Sequence, residues 1–288
     1  QVWFGAGREE SLSFNRRFLM KDGTVRFNPG KLNPNIVRPV GPIDPEAPVV
    51  FFDTPERKPL ATFVNFAMHL DTVGGLEFSA DYPYTLGRLL GMIKGPEMLT
   101  LFTIGTAGNI NHIDVRSREP QKGHNEAARI GAVLAGEVLK TYTRLKAVTA
   151  GPPRVRSEMV KLPLPALAPG AVEKARQVAA RFGKTPAPAF LEMVEAFKVL
   201  DTAERDGRPL EAEVQVVALG DQLAWVGLPG EIFVELGLAI KKASPYPHTI
   251  ISELANGAIA YVPDRKAYAE GAYEVVNSRC AAGCGEML

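Results

Sequence analysis

The sequence has little with which to cross a membrane, little with which to cross-link itself, and no excess of charge. No run of 18 apolar residues occurs among its 288 residues, so it offers no transmembrane helix. There are 33 Lys and Arg against 32 Asp and Glu. A net charge of +1 removes the electrostatic case for nucleic acid or an anionic membrane as partner. No Gly-x-Ser-x-Gly elbow is present, which excludes a serine esterase of the α/β-hydrolase type. The two cysteines, Cys280 and Cys284, lie in "CAAGC". They suit a small disulfide, half a metal site or neither, and without a second pair they argue against a structural zinc knuckle. Export would favour the disulfide. No internal repeat, low-complexity tract or signal-peptide pattern is seen. The chain opens on Gln1 and stops after "CGEML", as expected of a piece of a longer protein, so the lack of a leader says little about compartment.

What is present reads as globular, at 46% hydrophobic and 23% charged, with length for a sizeable core. Residues 1–47 are rich in Gly, Pro, Asn and Arg, which forbids long helices and predicts an ordered loop with turns. "VVFFDT" (49–54) and "LATFVNFAMH" (60–69) read as strands around "PERKP". A helix is predicted near 82–94, capped by Ser79 or Asp81. "MLTLFTIG" (98–105) is a buried strand, and 124–146 a long amphipathic helix. A strand follows at "PPRVRSEMVKLPLP", then helices near 170–182 and 188–204, expected to form a side subdomain at about 165–210. "EAEVQVVALGDQLAWVGLPG" reads as a hairpin turning at "GD", "EIFVELGLAIKKAS" as a helix, and "HTIISELAN" as the last strand. This alternation predicts an α/β fold, a single domain with a layered mixed β-sheet core, flanking helices and a site at strand ends.

Four stretches share one design, an apolar strand followed by a turn bearing polar groups: "NFAMHLDT", "LFTIGTAGNINH", "AWVGLPGE" and "SELANGAIAYVPD". Ligand sites gather where such turns converge. They deliver His69, Asn111, His112, Glu231 and Tyr261, and His plus carboxylate plus an open position is the ligand chemistry of catalytic zinc. Taken singly, each has an ordinary explanation. A strand-end histidine is more often hydrogen-bonded structure. Glu231 follows Pro-Gly at an expected helix start, where the dipole alone favours a carboxylate. Tyr261 can be a packed aromatic, and Gly105 and Gly108 a tight turn. Only the set, in its order, is specific.

That order, "NFAMH", "SADYP", "GTAGNIN", "LPGE" and then "NGAIAYVPDRKAYAEGAYE", resembles the neutral ceramidase family, zinc-dependent amidases that cut N-acyl sphingosine. The last motif is the most specific, with Asn256, Gly257, Tyr261, Val262, Tyr268, Gly271, Tyr273 and Glu274 in the family pattern. The resemblance implies one zinc ion held by His69, Glu231 and Tyr261, and a carbonyl-binding hydroxyl on Tyr273. It implies an arginine lining the pocket, Arg16 or equally Arg17 of "FNRR". A lipid-like amide substrate, an extracellular or periplasmic location and peripheral membrane contact come from the same source.

Two departures stand out. The family's first zinc histidine belongs to a His-x-His-Ser segment, and this chain has only His69, His112, His124 and His248. Where the family has Gly-Asp-Val-Ser, this chain has "GNIN", with Asn111 in the serine's place. Asparagine is no nucleophile, but it can donate to an oxyanion. His112 lies outside the pattern and reads as an added acid or base or, preferably, as a surface histidine. Asp71 is a candidate to orient a ligand histidine. The expected chemistry is attack by a metal-activated water. The competing reading is a catalytically inactive relative that binds a lipid or glycan, which the joint presence of His69, Glu231, Tyr261 and Tyr273 counts against.

Overall fold

The computed structural model describes residues 1–149 and 151–288. Where a loop was expected, the first 40 residues form five strands: β1 (Val2–Arg8), β2 (Phe14–Asn15), β3 (Arg17–Met20), β4 (Val25–Phe27) and β5 (Ile36–Pro39). The strand signal of β1 is hidden by its glycines. A Cβ on Gly5 would lie 2.9 Å from Thr141 Cγ2, and one on Gly7 2.8 Å from Glu137 Cγ. Their bareness lets a helix lie against the strand, but it erases the alternation that would announce it.

Next come β6 (Glu46–Asp53), β7 (Pro59–Phe66), helix α1 (Tyr82–Lys94), β8 (Leu99–Ile104), β9 (Ile110–Asn111), α2 (His124–Tyr142) and β10 (Lys146–Ala147). Asp81 caps α1 by accepting the Tyr82 N–H, as the sequence predicts. The strands form a five-stranded sheet in the order β10-β1-β6-β7-β8. Leu86 and Leu90 of α1 and Ile130, Leu134 and Val138 of α2 bury against Val49, Val64 and Phe66 on its outer face.

The second half gives β11 (Pro153–Leu162), α3 (Ala171–Ala179), α4 (Phe190–Glu204), β12 (Leu210–Leu219), β13 (Leu223–Gly227), β14 (Glu231–Ile232), α5 (Val234–Ala243), β15 (His248–Ser252), β16 (Tyr261–Val262), α6 (Arg265–Glu270) and α7 (Tyr273–Asn277). Its main sheet runs β11-β12-β13-β15. Phe4, Val50, Leu223 and Ile250 bury between the two sheets, with Phe63 edge-on to Trp225 at 5.9 Å. Behind the second sheet, Leu162, Val226 and Ile251 pack with Phe233, Leu236, Ala267 and both cysteines. The result is a helix–sheet–sheet–helix layering, an α/β fold as expected. α3 and α4 pack on each other around Ala175, Val178 and Ala196. Cys280 and Cys284 are free and buried.

Two short pairings position the site. β14 and β16 are parallel, with Glu231 opposite Tyr261. β2 and β9 are antiparallel, with Phe14 opposite Asn111. Glu231 therefore stands on a strand, not at a helix start, and α5 begins only at Val234. The helix-dipole explanation of this carboxylate lapses.

Candidate active site

β7 ends at Phe66, three residues short of His69. The chain leaves the sheet there, and the buried Tyr82 hydroxyl holds the departure by donating to the Met68 carbonyl at 2.9 Å. His69 Nδ1 lies 2.9 Å from the Ile110 carbonyl. A carbonyl only accepts, so Nδ1 carries a proton, and the other ring nitrogen is Nε2. That nitrogen faces Glu231 Oε2 at 2.9 Å. The Tyr261 ring lies parallel to the His69 ring, with centroids 6.5 Å apart, and strand register sets Tyr261 opposite Glu231.

Arg16 completes the cluster. Its Nη1 is 3.3 Å from His69 Nε2, its Nη2 donates to the Gly108 carbonyl at 2.8 Å, and its Nε donates to Glu274 at 2.9 Å. The guanidinium also lies over the Tyr261 ring, 5.4 Å from the centroid. Arg17 points elsewhere, to Glu270 and Glu274, so of the two arginines it is Arg16 that reaches the cluster. Gly108 is the joint of the assembly: its N–H donates to the Ile232 carbonyl at 2.8 Å, and a Cβ there would sit 2.8 Å from the Glu231 carbonyl carbon.

Other residues fall differently from the sequence reading. His112 is buried, not superficial. Its ring bridges Asp71 Oδ1 at 3.1 Å and the Gln121 carbonyl at 2.8 Å. Burial works against its charge, but the Asp71 bond and charge outweigh this and raise its pKa. Asp71 thus serves His112, and His69 takes its orientation from the Ile110 carbonyl. Asn111 donates to Asn28 at 3.2 Å and accepts from the Ile113 N–H at 3.1 Å, so both ends of its amide are engaged in the loop. Tyr273 stacks on Phe27 at 4.6 Å and stands edge-on to Tyr261 at 5.6 Å.

Electrostatically the cluster is divided. Burial pushes the Glu231 carboxyl up, but hydrogen bonds from His69 and Tyr261 and nearby positive charge prevail, and its pKa ends lowered. Burial pushes the Tyr261 phenol well up, so it stays protonated as a donor. Glu253, which the sequence reading passed over, is buried and accepts from the Ala107 and Ile232 N–H groups at 3.1 and 2.8 Å. Burial drives its pKa well above the ordinary value. Its only sequence signal was a charge inside an apolar strand end.

The donors are one imidazole nitrogen, one carboxylate and one phenol, of which the first two are zinc ligands in kind. An imidazole nitrogen and a carboxylate oxygen 2.9 Å apart need either a proton or a metal cation between them. Among the described residues, no three His, Cys, Asp or Glu side chains gather closely enough to hold a metal. The third donor here is a tyrosine.

No protein-family model matches the chain, and no curated protein does so significantly. Two solved ceramidase structures are similar to it. Neutral ceramidase from Pseudomonas aeruginosa aligns over 98% of this chain and 49% of its own, with a TM-score of 0.68 at 17% identity. A ceramidase complexed with C2 aligns over 98% of this chain and 50% of its own, with a TM-score of 0.66 at 16% identity. The chain spans about half the length of each. At these identities the likeness establishes a ceramidase-like fold.

Proposed function

We propose that this protein hydrolyses an N-acyl amide of the ceramide type, with a zinc ion held by His69, Glu231 and Tyr261. The observation that carries the reading is the opposition of His69 Nε2 and Glu231 Oε2 at 2.9 Å, with Tyr261 placed against Glu231 by strand register. The ceramidase folds of the structural neighbours support it. A lipid-like substrate, export from the cell and peripheral contact with a membrane belong to the same proposal. No helix among the described residues is long and apolar enough to cross a membrane.

When bound, zinc supplies Lewis acidity towards a carbonyl and a water. The chain supplies the rest. Glu231, with its lowered pKa, presents a carboxylate at neutral pH. The Ile110 carbonyl fixes the orientation of the His69 ring. Arg16 keeps a positive charge beside the cluster. Tyr273, beside Tyr261, is the hydroxyl assigned to the oxyanion. Asn111 spends one amide N–H on Asn28 and its oxygen on the Ile113 N–H, and its second N–H is the donor that can assist Tyr273. Water adds to the carbonyl carbon, the C–N bond breaks, and a fatty acid and an amine leave.

The test is release of fatty acid from an N-acyl sphingosine by the zinc-supplied intact protein. Tyr273→Phe should lower kcat about 100-fold with the fold intact, as loss of one oxyanion donor does. No release by the parent, with zinc bound, would favour the non-catalytic lipid- or glycan-binding alternative.

A further inference from the structure

Glu274 is buried at the second position of α7, directly after Tyr273. The backbone turns left-handed at Gly271 and Ala272, with φ of 70° and 75°, and this turn sends the carboxylate inward. There it meets two arginines that are themselves almost wholly buried. Oε1 accepts from Arg16 Nε and Oε2 from Arg17 Nη1, each at 2.9 Å. Arg17 is tied further to the Gly271 carbonyl at 3.0 Å and to Glu270 at 3.2 Å, and Lys266 pairs with Glu270 at 3.1 Å. The network has two halves. Arg17 and Glu270 face the helices. Arg16 faces the cluster, with Nη1 3.3 Å from His69 Nε2.

We propose that Glu274 is a positioning residue. It fixes the Arg16 guanidinium against His69 and Tyr261 and balances its charge there, so that the donors beside it can accept a divalent cation. The second part rests on the zinc reading given above. A buried ion pair adds little stability over well-packed apolar side chains, but it aims a planar cation with a precision that a lone guanidinium lacks. Removing the carboxylate leaves an uncompensated positive charge next to the nitrogen offered to the metal, and like charges repel strongly in a poorly solvated site.

The experiment compares Glu274→Gln with Glu270→Gln in the intact protein. Both remove one carboxylate from the network, but only the first touches Arg16. In the metal-free protein, the imidazole nitrogen-15 resonance of His69 Nε2 reports the neighbouring guanidinium. It should move in E274Q and stay in place in E270Q, with circular dichroism unchanged in both. In zinc titrations, E274Q should bind at least tenfold more weakly than the parent and E270Q like the parent. A resonance that moves equally in the two variants, or in neither, overturns the proposal whatever the zinc result. A parent that takes up no zinc overturns the zinc reading, while the resonance still decides the role of Glu274. If E274Q does not fold, Glu274→Asp keeps the charge and withdraws the carboxylate by one methylene. An unmoved His69 resonance in E274D would then reject the proposal.

Discussion

At Glu253 one carboxyl oxygen accepts two backbone N–H groups inside the protein, from Ala107 and Ile232. Burial still dominates, and its pKa lies well above the ordinary carboxylate value. The folded state therefore holds a proton that the unfolded chain releases. Its contribution to stability is complete below the ordinary carboxylate range and is lost as pH rises towards the raised folded value. Glu253→Gln keeps an accepting oxygen and removes the titration. Melting temperature against pH should fall less steeply above the carboxylate range in E253Q than in the parent. Equal slopes would mean that Glu253 does not carry this dependence. At the same scale, motif order singled out His69, Glu231 and Tyr261, which the fold brings together, whereas His112, expected at the surface, is buried. Nothing local in "GNINHID" reveals that Asp71 and the Gln121 carbonyl close over its ring.

Among elements, those with long periodic patterns were the readable ones. α1 and α2 carry apolar residues at helical spacing, and their predicted spans match closely, although α2 stops at Tyr142. β1 was missed because Gly5 and Gly7 yield to α2. β14 and β16 were missed because two-residue strands have no period at all. Two predictions follow from how elements are joined. Asp81 accepts the N–H of Tyr82 at 2.8 Å and that of Val73 at 2.9 Å, so it ties α1 to the loop after His69. Asp81→Ala should cost about 2 kcal/mol in urea unfolding, the upper part of the range for a lost cap. A loss near zero would show that the loop and α1 hold without it. Gly108→Ala drives a methyl group into the backbone of Glu231 and Ile232. It should displace β14 and weaken zinc binding more than it lowers the melting temperature, as paired titration and melting would show. An unchanged zinc affinity in G108A would show that β14 does not depend on Gly108.

Across the whole molecule, the layers were legible as a class, but the site's interior was not. Arg16 and Glu274 are 258 residues apart, and only the folded chain brings the link between β2 and β3 to α7. The same closure places His69, from the end of the first sheet, against Glu231 and Tyr261 in a separate strand pair. The central claim is that this meeting of elements builds a zinc site. It is tested most directly by metal analysis of the intact protein beside the double variant His69→Ala, Glu231→Ala. One zinc per chain is expected in the parent and almost none in the variant, with both folded. No zinc in the parent, or equal zinc in both, would contradict it.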